Sequence, residues 1–105
     1  MTTFDKREEG FEKKFAVEEE LKFKADARRN KLLGLWVAGQ LGITGDAASD
    51  YARQIVAADF DGAGQVARKV TADLATKGIT LSEPELLAKM NELTALAITQ
   101  VRAGN

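Results

Sequence analysis

Three phenylalanines near the N-terminus have a spacing that suits binding to another protein. The stretch FDKREEGFEKKF, residues 4–15, places Phe4, Phe11 and Phe15 among eight charged side chains. On an α-helix, seven residues turn the chain by about 700° and eleven by about 1100°, so the rings would fall within about 40° of one another. Such a stripe, flanked by charge, can enter a groove on a partner. The spacing fits equally well with rings that pack at the edge of their own protein.

The residue types needed for most catalytic and metal sites are absent from the chain. It contains no cysteine and no histidine, which excludes disulfides, Ser/His/Asp triads, Cys/His pairs and structural zinc sites. Asp59 and Asp61 are close in sequence, but they flank Phe60 at a predicted helix end, where capping and solvation account for them. We therefore expect a protein that is not an enzyme and needs no metal or cofactor.

Basic residues are concentrated at Lys22, Lys24, Arg28, Arg29 and Lys31. Acidic residues interleave with them and no aromatic platform accompanies them, which favours a solvated helix face over a nucleic-acid contact. The formal charge of −1 provides no overall attraction to nucleic acid or anionic lipid. No segment approaches the roughly 20 apolar residues that span a bilayer, and the N-terminus lacks a signal-peptide pattern. We expect a soluble intracellular protein that does not insert into a membrane.

Charged residues divide the chain into two parts. Residues 1–31 hold 17 of the 31 charged side chains, whereas the remaining 74 residues are rich in apolar side chains. The length of 105 residues predicts one domain with a tail. A single proline and abundant alanine, leucine, glutamate and lysine favour helix. We predict an all-α protein with a flexible N-terminal arm, residues 1–19, and a four-helix bundle, residues 20–105.

The first two bundle helices are predicted from apolar periodicity and from the residues between them. The first begins near Leu21 and ends before Gly42, which suits the left-handed position after a helix. Its stripe is predicted to be Leu21, Ala25, Arg28, Leu32, Leu35 and Gly39. The second helix runs from about Gly45 to Phe60, with Thr44 as N-cap and Asp46 in the first turn. Its inward residues are expected to be Ala48, Tyr51, Ala52, Ile55 and Val56.

Two further helices follow the break DGAG at residues 61–64. Asp61 is predicted to cap the third helix and Gly78 to end it. The inward face of the third helix is predicted to be Val66, Val70 and Leu74. LSEPEL predicts a strong start for the fourth helix, with Ser82 as N-cap, Pro84 in the first turn and Glu85 reaching back to the Ser82 amide. The apolar positions of the fourth helix are Leu86, Met90, Leu93, Ala97 and Val101.

The arm has too little apolar surface to fold by itself. Isolated helices shorter than about 12 to 15 residues are rarely stable, and Gly10 costs about 1 kcal/mol relative to alanine. Burying three rings as a fifth helix would not offset an ordering cost of about 1 to 2 kcal/mol per residue. We expect residues 1–19 to be disordered when free and helical when bound.

One long segment, EELKFKADARRNKLLGLW at residues 19–36, is unusual in sequence. Together with ADF at residues 58–60, RKV at 68–70 and ADLA at 72–75, it resembles the alphaproteobacterial zeta subunit, the small inhibitor of the F-type ATP synthase. The resemblance covers most of the chain and becomes looser towards the C-terminus.

The resemblance implies a four-helix bundle with a mobile arm that inhibits ATP hydrolysis. In this family the arm becomes helical and wedges into a catalytic alpha/beta interface of the ATPase head beside the rotor, which blocks rotation in the hydrolytic direction. The implied partners are the alpha, beta and gamma subunits, and the implied free state is a monomer. The implied location is the cytoplasm, peripheral to the inner membrane through the ATP synthase. The inhibitory region corresponds to about Thr2–Glu19 in this sequence.

The resemblance turns the three rings into expected anchors and the charges around them into expected rim contacts. The expected partner-binding residues are Phe4, Asp5, Arg7, Glu8, Phe11, Lys14 and Phe15, with Lys13 as a further rim candidate. The rings rank first, because exposed ion pairs contribute under about 1 kcal/mol each, whereas truncating a buried aromatic anchor costs about 2 kcal/mol or more.

Two features of the arm depart from an optimal inhibitor. Gly10 raises the cost of forming a helix on docking. The mitochondrial inhibitor, which is similar in role, uses histidine for pH control, and a chain without histidine cannot.

Two other functions remain open at this point. The chain could be a helical adaptor whose charged N-terminal segment binds another protein with no ATPase role. Binding of the phenylalanine stripe to a membrane surface is less favoured, because acidic residues are as numerous as basic ones.

Overall fold

The protein is all-α, as the sequence predicts. The computed structural model describes the backbone of residues 2–62 and 64–104 and the side chains of residues 18–62 and 64–104. Its four helices are α1 (Thr2–Leu41), α2 (Gly45–Phe60), α3 (Gln65–Ala75) and α4 (Glu83–Arg102). The first helix is predicted to begin near Leu21, whereas the α1 backbone is helical from Thr2. The prediction that residues 1–19 are disordered when free falls mainly on residues 1–17, whose side chains lie outside the described residues, and it stays a prediction.

Two predicted helix ends are confirmed and share one geometry. Gly42 has φ of 77° and Gly78 has φ of 73°. After α1, the Gly42 N–H donates to Gly39 O at 3.2 Å and the Ile43 N–H donates to Ala38 O at 2.8 Å. Gly78 and Ile79 repeat this pattern after α3. Both ends are Schellman motifs, in which glycine takes the left-handed conformation at no steric cost and the last carbonyls gain donors.

The start of α3 differs from the prediction. Its N-cap is Gly64, not Asp61. Asp61 instead follows α2 with right-handed helical backbone, and its N–H donates to Ala58 O at 3.1 Å. The chain then turns through Gly62, with φ of 140°, and Gly64, with φ of 85°. These positive angles move the start of α3 beyond the reach of the Asp61 side chain.

The predicted capping residues of α4 are confirmed, but one of their hydrogen bonds differs from the prediction. The Glu85 N–H donates to Ser82 Oγ at 3.2 Å, and Pro84 lies in the first turn. The Glu85 carboxylate accepts from the Ser82 hydroxyl at 2.7 Å, whereas the sequence suggested the Ser82 amide. The N-cap of α2 is Thr44, as predicted, but its side chain makes no capping hydrogen bond.

The core forms where α1 packs against α2 and α4, with α3 beside α2. The inward residues predicted for the last three helices are buried or partly buried. The largest wholly buried aliphatic side chains are Leu33, Val37, Ile55, Val70 and Leu74. Tyr51 is buried in this core cluster, as predicted, and the partly buried Trp36 packs against it.

The inward face of α1 differs from the predicted stripe. Ala25 is buried as predicted, but Leu35 and Gly39 are exposed. Leu33, Gly34, Val37 and Ala38 take the buried side instead. Because this part of α1 is apolar nearly all round, its sequence does not fix which side faces the neighbouring helices.

Candidate functional site

The partner-binding residues expected from the sequence lie in the first half of α1. Their side chains are outside the described residues, and so are the contacts they make. The stripe and its rim charges therefore stay predictions for Phe4, Asp5, Arg7, Glu8, Phe11, Lys14 and Phe15. What the structure describes is how the second half of α1 is fixed in the bundle and which surface lies next to the arm.

The described part of α1 begins with an exposed acidic turn. Glu18, Glu19 and Glu20 are all exposed. Glu20 pairs with Lys24 one turn later, with 3.1 Å between the carboxylate oxygen and Nζ. Both side chains are more than half exposed, so the pair contributes little to stability. Ala25 is the first residue of this segment that is fully buried in the core.

A buried amide joins α1 to the end of α2. Asn30 is 1% exposed, and its Nδ2 donates to Asp59 Oδ2 at 3.0 Å. Its Oδ1 accepts from Arg29 Nε at 2.9 Å. A buried amide without partners would cost about 1 to 3 kcal/mol, so this pairing fixes the register of the two helices. The carboxyl group of Asp59 therefore has a structural role beyond solvating the helix end.

Sequence reasoning did not identify Asn30, although one signal was present. Asn30, Leu33 and Val37 follow the spacing i, i+3, i+7 and lie on one face of the helix. A polar residue in such a row, near one end of a buried stripe, indicates a paired group in the core.

The helices α1 and α2 touch at a glycine. A Cβ added at Gly34 would lie 2.6 Å from the Cα of Ala52 and 3.2 Å from Cγ1 of Ile55. The absence of a side chain at Gly34 is therefore what allows the two backbones to approach so closely. This contact, with the Asn30–Asp59 pair one turn away, sets the direction in which α1 leaves the bundle.

A polar contact fastens α1 to the end of α4. Arg28 Nη1 donates to Gln100 Oε1 at 2.9 Å, across 72 residues of sequence. The contact is partly buried, which makes it stronger than the same bond in water. It holds the C-terminal end of α4 against the part of α1 that lies next to the arm.

A polar cluster joins α2 to α3 at the other side of the bundle. The Tyr51 hydroxyl donates to Asp73 Oδ2 at 2.7 Å, and Lys69 Nζ lies 3.1 Å from the same oxygen and 5.3 Å from the centre of the tyrosine ring. Burial, and then the bond to the Asp73 carboxylate, raises the pKa of Tyr51 well above its usual value. Tyr51 therefore stays neutral and acts as a hydrogen-bond donor, which is a structural role.

A similar cation contact covers Trp36, where Lys89 Nζ lies 5.0 Å from the ring centre. A cation over the face of a tryptophan ring is a favourable arrangement at a partly exposed site. It joins α1 to α4 and carries no chemistry.

A groove runs between α1, α2 and the end of α4. Its volume is about 770 Å³. Its apolar floor is made of Ala27, Ala52, Val56 and Val101. Its charged lining residues are Lys24, Arg28, Lys31 and Arg53. Phe23, Ala27 and Val56 line both this groove and a smaller hollow of about 90 Å³ beside it. Asp26, Asp59 and Phe60 also line the smaller hollow.

The described residues contain neither a metal-binding cluster nor a membrane-spanning helix. Among residues 18–62 and 64–104, no group of three acidic side chains is placed to hold a metal ion. No helix in that described part of the chain is long and apolar enough to cross a membrane. The groove offers an apolar surface with basic edges, and the arm side chains are the second candidate contact.

Comparisons with known proteins indicate a family. A family model described as ATPase inhibitor subunit zeta matches residues 1–100. A protein solved by solution NMR is 48% identical, with a TM-score of 0.70; the match covers 81% of this chain and 99% of that chain. None of the curated proteins compared with this chain matches it. The solved structure supports the fold of this chain, and the family model spans both the arm and the bundle.

Proposed function

Because this chain belongs to the ATPase inhibitor subunit zeta family, we propose that it inhibits ATP hydrolysis by the F-type ATP synthase and catalyses no reaction itself. The observation that carries this proposal is the match to that family over residues 1–100. The absence of cysteine and histidine fits a protein that acts by occupying a site on its partner.

The inhibitory element is the arm, residues 1–19. Its three rings bind as apolar anchors in a catalytic alpha/beta interface beside the gamma subunit, and the arm becomes helical as they dock. Burying each ring contributes about 1.5 to 3 kcal/mol, which offsets part of the cost of ordering the segment. The surrounding charges set the register and the rate of association more than the affinity.

The bundle supports the arm by fixing the direction of α1. α1 begins at Thr2 and ends at Leu41, so the arm and the central bundle helix belong to one element. The Gly34–Ala52 contact and the Asn30–Asp59 bond hold its second half against α2, and the Arg28–Gln100 bond holds it against α4. Fixing this half reduces the freedom lost on docking, which raises affinity without adding contacts.

The partner of this inhibitor is the catalytic head of the F-type ATP synthase, with contacts to the alpha, beta and gamma subunits. The free protein acts as a monomer. Its place in the cell is then cytoplasmic and peripheral to the inner membrane, through its partner.

A truncation separates the arm from the bundle. The full chain and a chain that starts at Leu21 are compared in an ATP-hydrolysis assay on the cognate ATPase. We expect the full chain to inhibit and the shortened chain to lose inhibition, while circular dichroism shows that its helices are retained. Equal inhibition by both chains would assign the activity to the bundle, and no inhibition by the full chain would support the adaptor function instead.

A further inference from the structure

Two large aromatic side chains next to the groove are exposed. Phe23 is 65% exposed and Phe60 is 74% exposed, and both line the smaller hollow beside the groove. The bundle already has a complete core, so these rings contribute little to it. Neighbouring exposed rings at the edge of a concave surface are typical of a protein contact.

The charge of the groove differs from that of the chain. The chain carries a formal charge of −1, yet all four charged residues that line the groove are basic. Lys24 and Arg53 have acidic neighbours on their own helices, Glu20 and Asp50. Those surface pairs are weak and can be exchanged for a partner's carboxylates. Lys31 makes no ion pair with any residue of the described part of the chain.

From this geometry we propose that the groove docks an acidic, amphipathic segment of the ATPase head. An apolar side chain of that segment packs on Phe23 and Val56, and its carboxylates pair with Lys31 and Arg53. This proposal rests on the proposed function, because that function supplies the partner. It adds a second contact surface, on the bundle, to the contacts of the arm.

The position of the groove agrees with such a partner. Phe23 follows the expected anchor Phe15 by eight residues in the same helix, which corresponds to about 12 Å along the axis. A partner that holds the arm therefore lies next to the groove. Once the arm has bound, the groove meets the same partner in an intramolecular step. The overall affinity is then higher than that of either contact alone.

A protein segment fits this surface better than an anionic membrane. The groove is concave, and a bilayer surface cannot fill a hollow of about 770 Å³ between three helices.

The test uses the full chain and the isolated cognate ATPase head. Dissociation constants are measured by titration calorimetry for the wild type, Phe23→Ala and Lys31→Glu. The matched controls are Leu87→Ala, an exposed apolar residue on α4, and Lys77→Glu, an exposed lysine after α3; both lie outside the groove. We expect each groove variant to weaken binding about 10-fold and each control less than about twofold. Because Phe23 and Lys31 are exposed, all four variants should keep their helices.

Cross-linking identifies the docked segment directly. A photoreactive phenylalanine analogue at position 23 should form cross-links with a peptide of the head that is rich in aspartate and glutamate. Cross-links only to basic or uncharged segments would contradict the proposal.

The outcomes separate the two proposals. If the wild type inhibits hydrolysis and the groove variants bind like their controls, the docking surface is wrong and the inhibitor function stands. Binding to phosphatidylglycerol vesicles is measured for the same variants. If Phe23→Ala and Lys31→Glu weaken binding to the vesicles but not to the head, the docking surface is again wrong and the inhibitor function stands. If the wild type neither binds the head nor inhibits it, both proposals fail together.

Discussion

The bundle and the arm use apolar side chains in different ways. In the bundle, Leu33, Ile55 and Leu74 are wholly buried in one core cluster. In the arm, the stretch from Phe4 to Phe15 holds three phenylalanines and eight charged residues and no other apolar side chain. The bundle therefore obtains its stability from itself, whereas the proposed role of the arm depends on surface supplied by a partner. A mutation in one region should change stability and a mutation in the other should change inhibition.

The largest expected effect is on stability and comes from the core. Ile55→Ala removes a wholly buried side chain between α1 and α2 and should lower the free energy of unfolding by about 2 to 5 kcal/mol. Urea denaturation followed by circular dichroism measures this. The protein that remains folded should inhibit hydrolysis as the wild type does. Loss of inhibition at full folding would show that the two regions do not act separately.

Truncating an arm anchor should weaken inhibition and leave stability unchanged, the opposite of the result expected for Ile55→Ala. Phe11→Ala should weaken inhibition by about 2 kcal/mol or more, which is roughly 30-fold, because the ring is an expected anchor. The free energy of unfolding should not change. Inhibition constants and urea midpoints are measured on the same preparation, with Thr3→Ala as a control in the arm. An unchanged inhibition constant would contradict the anchor role of the stripe.

Two glycines in α1 should respond in opposite directions to the same substitution. Gly34→Ala places a Cβ 2.6 Å from the Cα of Ala52; the overlap costs about 1 to 3 kcal/mol, against a helix-propensity gain of about 1 kcal/mol. Gly39→Ala meets no atom within 4 Å and should stabilise by up to about 1 kcal/mol. Thermal unfolding of both variants checks the pair. A stabilising Gly34→Ala would mean that α1 and α2 move apart at little cost.

A smaller effect is expected at alkaline pH. The pKa of Tyr51 is raised in the folded protein by burial and by the Asp73 carboxylate. The unfolded tyrosine loses its proton near pH 10, while the folded one keeps it, so the contribution of Tyr51 to stability is constant below about pH 10 and falls above it. Tyr51 is the single tyrosine of the chain, so tyrosinate absorbance reports its titration directly. Tyr51→Phe should reduce the alkaline loss of stability, and ionisation near pH 10 in the folded protein would contradict the buried hydrogen bond.

The smallest expected effect is that of neutral pH on inhibition. The chain has no histidine, and few other side chains titrate between about pH 6 and 8. The inhibition constant should therefore change little across this range on an ATPase that does not itself titrate there. A steep change under those conditions would point to a shifted carboxyl group in the arm or at its binding site.

Local chemistry was enough to predict most helix ends. Glycines at 42 and 78 and the Ser82 cap act within a few residues of the chain, so their sequence alone indicates the break. The predicted start of α3 was wrong because the break at residues 61–64 contains two glycines, Gly62 and Gly64. Glycine tolerates positive φ angles, so the backbone of this break has more than one possible path. The inward faces of α2, α3 and α4 were predictable because each has an apolar side and a polar side.

The sequence by itself determined the all-α class, the positions of most helix ends, the exclusion of cysteine and histidine chemistry, and the charged arm with its three rings. These follow from residue type and from spacing within one or two helical turns. Only the tertiary structure decided which side of α1 faces the core, that Asn30 pairs with Asp59 and that Gly34 lies against Ala52. It also brought Phe23, Arg53 and Val101 to one groove from three helices. Such contacts depend on the rotation and distance of packed helices, which the periodicity of a single helix does not specify.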